Sequence, residues 1–61
     1  MNWRYHRSHP NVYRINDSHT NIQRYSIHSM KWLTLLYTKE QVARVLNLDE
    51  IEEEDVFLEM I

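Results

Sequence analysis

Sixty-one residues make one domain at most, and a chain this short buries too little apolar surface to be more than marginally stable alone. It has no cysteine and no glycine, which excludes disulfides, thiolate metal sites and thiol catalysis, and also the phosphate loops, dinucleotide fingerprints and nucleophile elbows whose backbones need glycine. The net charge of −2 conceals two halves of opposite sign: residues 1–32 carry five cations against one carboxylate, a net of +4, with all four histidines, and residues 33–61 carry two cations against eight carboxylates, a net of −6.

In chain order, residues 1–10 are polar and aromatic and end at Pro10. They read as an arm that is mobile or ordered only by a partner, which leaves residues 11–61 as a single compact domain. Val12-Tyr13-Arg14-Ile15 and the stretch Ile22 to Ile27 flank Asn16 to Asn21, a cluster of turn formers, and predict a β-hairpin. Without glycine, positive φ is expected to fall on Asn16, Asp17, Asn21 or Asn47. After Ser29, a candidate N-cap, Met30, Trp32, Leu33, Leu36 and Tyr37 gather on one side at 100° per residue, opposite Lys31 and Thr34. That spacing predicts a short helix, with one long strand through Ile27 and Leu35 as the competing reading.

Thr38-Lys-Glu-Gln41 is a capping box, and Tyr37 with Val42 can form the hydrophobic staple around it. A helix from Lys39 to Asn47 follows, with Val42, Val45 and Leu46 on one face and Glu40 and Arg44 as an i to i+4 pair on the other. Beyond it, Asp49, Glu50, Glu52 and Glu53 suit a helix start, and Ile51, Phe57, Leu58 and Ile61 a buried face. Glu54 interrupts that face, so a break there followed by a strand from Val56 to Ile61 competes with a helix over Glu50 to Ile61. The fold expected is small α+β, an N-terminal β-hairpin followed by two or three short helices, with a mainly α chain as the alternative. Its core would hold Tyr13, Ile15, Ile22, Ile27, Trp32, Leu33, Leu36, Val42, Val45, Leu46, Ile51, Leu58 and Ile61.

Thr38 to Leu48 resembles the first helix of a helix-turn-helix module. Where such a module places its recognition helix, this chain has six carboxylates between Asp49 and Asp55. They would repel phosphates, so the module's DNA-reading role does not carry over.

His6, His9, His19 and His28 are the only metal-ligand candidates besides carboxylates, but Pro10 spoils the His6-x-x-His9 spacing, and exposed histidines on a basic surface are the expected reading. Neither a metal, a cofactor nor a catalytic residue is assigned. The carboxylates lie in one run with no apolar pocket to push their pKa values apart, and a domain this small rarely encloses a substrate cavity. The expected function is therefore non-catalytic. It is a protein-binding modulator or inhibitor docking on a larger macromolecule, of the kind that phages and mobile elements encode as accessory proteins.

The docking residues expected in the acidic/apolar half are Glu52, Glu53, Glu54, Asp55, Phe57 and Met60, with the aromatic-basic half as a second surface. The alternative is a nucleic-acid-binding regulator that neutralises phosphates with Arg4, Arg7, Arg14, Arg24 and Lys31 and stacks bases on Trp3, Tyr5 and Tyr25. A marginal core favours a homodimer. No apolar run approaches the roughly 20 residues of a membrane span, and Met1 to His6 lack a secretory apolar stretch, so the expected location is the cytoplasm, without a membrane partner.

Overall fold

The computed structural model describes residues 2–59. Strands β1 (Trp3–Ser8), β2 (Asn11–Asn16), β3 (Ile22–Ser26) and β4 (Lys31–Thr34) run as an antiparallel meander. The chain then crosses through helix α1 (Lys39–Leu46) to β5 (Asp49–Ile51), which returns to pair with β1. The strand order is β4-β3-β2-β1-β5. A single 3-10 turn, Glu53–Asp55, leads into helix α2 (Val56–Glu59).

Register divides the sheet into two chemically different faces, because residues directly opposite across antiparallel strands share a face. Arg4 pairs with Ile15, Ile15 with Ile22 and Tyr13 with Arg24, and this face is closed by α1. Ile15, Ile22 and Val45 are fully buried there, with Tyr13, Leu35 and Val42 packed around them. On the other face Tyr5 pairs with Arg14 and Ile51, Arg14 with Gln23, and Tyr25 with Trp32. Val56 of α2 closes that side against Tyr5 and Val12, with Trp3, Trp32 and Ile51 at its margin.

The expectation of a hairpin followed by two or three helices is overturned: the chain is mostly a five-stranded antiparallel sheet with two short helices, both toward its C-terminal end. Three local features account for the difference. Residues 3–8, expected to be an arm, form a strand between β2 and β5 and bury Tyr5 and His6. Their alternation of Trp3 and Tyr5 with Arg4 and His6 is the period of two that marks a strand. The helix expected after Ser29 is β4: Trp32 points to the Tyr25 face and Leu33 to the other, whereas Met30 and Leu36, needed for the helical stripe, are 78% and 81% exposed. The helix expected over Glu50 to Ile61 is split, with the strand first and the helix second, the reverse of the competing reading. The helix-turn-helix resemblance fails at the same place, since β5 and the 3-10 turn stand where a recognition helix would lie.

Helix α1 agrees with the sequence in its start: Thr38 Oγ1 accepts from the Gln41 N–H at 3.0 Å, and Asn47 is the C-cap. Of the expected core, Ile15, Ile22 and Val45 are buried, while Ile27, Leu36, Leu46 and Leu58 are exposed. Ile61 and the docking residue Met60 lie outside the described residues. Tyr5, Val12 and Val56 complete the buried set. Positive φ falls on His19 (55°) and Met30 (54°) instead of on an asparagine or aspartate. Asn16 serves the neighbouring loop through its side chain. Only 6% exposed, it accepts through Oδ1 from the Thr20 and Asn21 amides at 2.9 and 2.8 Å and donates through Nδ2 to Thr20 Oγ1 at 2.8 Å. It thereby holds the β2–β3 loop closed from inside, as an Asx-type turn does.

Candidate binding cleft

The face closed by α2 is covered incompletely, because a four-residue helix cannot span a five-stranded sheet. A cleft of about 410 Å³ remains, lined by Tyr5, Arg14, Tyr25, Trp32, Glu53, Val56 and Phe57. The Tyr5 and Trp32 rings, carried by β1 and β4 three strand spacings or about 14 Å apart, reach toward each other across it, their centroids 6.1 Å apart. Tyr25 meets Trp32 edge-on at 5.4 Å, the arrangement that sets a positive ring edge against a negative face.

Arg14 organises this side. Its guanidinium carbon lies 4.2 Å from the Trp3 ring centroid and 4.3 Å from that of Trp32, so one cation bridges rings carried by β1 and β4. Its Nε donates to Gln23 Oε1 at 2.7 Å, which fixes the plane of the fork. Among the described residues no carboxylate pairs with it; Glu59 forms an ion pair with Arg7 and has His9 Nδ1 at 3.7 Å. The Arg7 contact links the end of α2 to β1. At the cleft's acidic side the Tyr5 hydroxyl donates to Glu53 Oε1 at 3.5 Å, the long limit of a hydrogen bond.

Residues expected in two separate surfaces therefore meet. Tyr5, Arg14 and Tyr25, from the aromatic-basic half, share the cleft with Glu53 and Phe57 from the acidic half. Glu52, Glu54 and Asp55 flank Glu53 in an exposed segment, and Phe57 and Leu58 on α2 are 73% and 68% exposed. The remaining basic residues are not gathered with Arg14. Register puts Arg4, Arg24 and Lys31 on the α1 face, and Arg7 is paired with Glu59. Trp32, expected in the core and not among the binding residues, belongs to the cleft. The signal was present as Lys31-Trp32, a cation beside a ring, but its face could be read only once β4 was known to be a strand.

The histidines disperse. His6 is 2% exposed on the α1 face, where its Nδ1 donates to the Leu48 carbonyl at 3.2 Å and ties β1 to the α1–β5 connection. Its Nε2 is buried without a partner among the described residues. No three His, Asp or Glu side chains come together as a metal-binding group among the described residues. No helix among them is long and apolar enough to cross a membrane. No protein-family model, curated protein or solved structure matches the chain.

Proposed function

We propose that the protein is a non-catalytic modulator that docks on a larger protein through the aromatic cleft and the α2 surface beside it. The observation that carries this reading is the exposure of two large apolar side chains of α2, Phe57, which lines the ring-lined cleft together with Glu53, and its neighbour Leu58. Aromatic and arginine side chains in a part-buried setting are the groups that dominate protein interfaces, and rim charges steer partners of opposite sign. Apolar groups beside the carboxylates suit a contact that is hydrophobic as well as electrostatic, which a plain polyanionic surface would not need.

A nucleic-acid track is less well supported. Phosphate binding draws on a continuous line of cations, whereas the basic side chains here lie on two opposite faces, one is paired to Glu59 and one is held between tryptophans. Affinity capture from a cell extract tests the reading, using the wild type, the double variant Phe57→Ser/Leu58→Ser and a variant neutralised at Glu52, Glu53, Glu54 and Asp55, with and without nuclease. A protein recovered by the wild type and depleted in both variants is the expected result. Equal recovery by all three, or recovery abolished by nuclease, rejects it.

A further inference from the structure

We infer that the occupant of the cleft is an extended, basic, proline-containing peptide segment of the partner; this rests on the protein-binding reading above and names the chemistry of what is bound. Three groups line the cleft, and one kind of ligand uses all three. Tyr25, Trp32 and Phe57 offer ring surface, the platform on which proline rings pack. Glu53 lines the cleft with Arg14 as the one cation of the lining, and Glu52, Glu54 and Asp55, all exposed, adjoin Glu53 in the chain. The local field therefore favours a ligand bearing arginine or lysine and disfavours an anionic one.

Arg14 does not contradict this. Its guanidinium lies over two tryptophan rings and Nε is held by Gln23, which leaves the terminal N–H groups as donors in a planar fork. An extended peptide presents unpaired carbonyl oxygens along its length, and these are neutral acceptors for such donors. Proline suits the site for a second reason. It brings no N–H that would need an acceptor in an aromatic wall, and its preset backbone reduces the entropy lost on binding. A ligand cation then sits at the Glu53 side, away from Arg14, while the rings hold the apolar part.

The chain's two tryptophans, Trp3 and Trp32, both flank Arg14, so intrinsic fluorescence reports on the cleft directly. The experiment titrates the full chain with tryptophan-free peptides of about ten residues, ~31 Å long if polyproline-like. One combines proline, leucine and arginine, the second has alanine for proline, and the third has glutamate for arginine. A single-stranded oligonucleotide completes the set. The first peptide is expected to shift the emission and to bind at least about tenfold more tightly than the other two. Phe57→Ala should weaken it about tenfold and Glu53→Gln about threefold, with Lys39→Ala, on α1, unchanged. Circular dichroism confirms that each variant is folded, and both cleft positions are exposed, so folding should survive.

Equal binding of the proline and alanine peptides, or equal binding of the basic and acidic ones, overturns the inference. Should no peptide bind while the wild type, but not Phe57→Ser/Leu58→Ser, still recovers a protein from extract, the peptide chemistry is wrong and the protein-binding reading stands. Binding of the oligonucleotide alone overturns both.

Discussion

The two faces of the sheet are built from the same five strands and finished differently. Under α1 the buried cluster is aliphatic: Ile15, Ile22 and Val45 are at most 1% exposed, with Tyr13 packed beside them, and an eight-residue helix with a capped start covers them. Under α2 the contacts are aromatic and charged, and a four-residue helix covers only Tyr5 and Val12 well. One side maximises burial; the other keeps rings and a guanidinium half-accessible. A chain with so small a core cannot leave both faces open, since the net stability of a domain this size is only roughly 3–9 kcal/mol. The difference separates a side sealed by aliphatic packing from the side on which the proposed partner would dock.

Truncating the closed face should do the most damage. Ile22→Ala removes a fully buried side chain and is expected to cost about 2–5 kcal/mol, enough to unfold much of the population, as measured by urea denaturation followed by circular dichroism. A loss under about 1 kcal/mol would show that the α1 face is not the main source of stability. Next comes Arg14→Leu, which removes the cation between Trp3 and Trp32 and should cost about 1–2 kcal/mol, with a changed tryptophan emission. An unchanged spectrum would mean that the guanidinium does not sit between the rings in solution. Thr38→Ala, at the start of α1, should cost about 1 kcal/mol by the same denaturation.

Two substitutions should leave the fold intact or improve it. Met30 holds φ 54° while its side chain is 78% exposed, so Met30→Gly should relieve more backbone strain than it adds in chain entropy, a gain of about 0.5–1 kcal/mol visible as a higher thermal midpoint. Phe57→Ala should change stability by under about 0.5 kcal/mol while weakening capture of the partner. That contrast is the sharpest form of the comparison, because it assigns stability to one face and recognition to the other. A Phe57→Ala protein that unfolds easily would erase it.

Several features were legible in the chain alone. The Thr38 cap and the following helix were, because capping is a contact between residues three apart. The β2 and β3 segments were too, as two β-branched runs around a polar turn. Less accessible were elements whose identity depends on distant partners. The segment 3–8 carries a strand's alternation, but its aromatic and basic residues look like a solvated arm until β2 and β5 flank it. Trp32 and Leu33 fit a helix stripe as well as a strand; what selects the strand is the hairpin with β3, which sets Trp32 opposite Tyr25. Carboxylates after Asp49 suggest a helix start, yet Asp49–Ile51 extends because β1 offers an open edge, with Arg7 opposite Asp49 and His6 opposite Glu50. The cleft was half visible: Arg14, Tyr5 and Tyr25 stood in one expected surface, Glu53 and Phe57 in another, and Trp32 in the expected core.

By itself, then, the amino-acid order determined the exclusions that follow from missing cysteine and glycine, the opposite charge of the two halves, and the one helix whose signals are local. Tertiary structure alone decided that the two halves fold onto one another, that the basic side chains divide between opposite faces, and that Arg14 lies between two tryptophans that are 29 positions apart in the sequence. The reason is that strand pairing is set by contacts between residues far apart along the chain, and the local pattern of a short stretch can mark a strand without naming its partners.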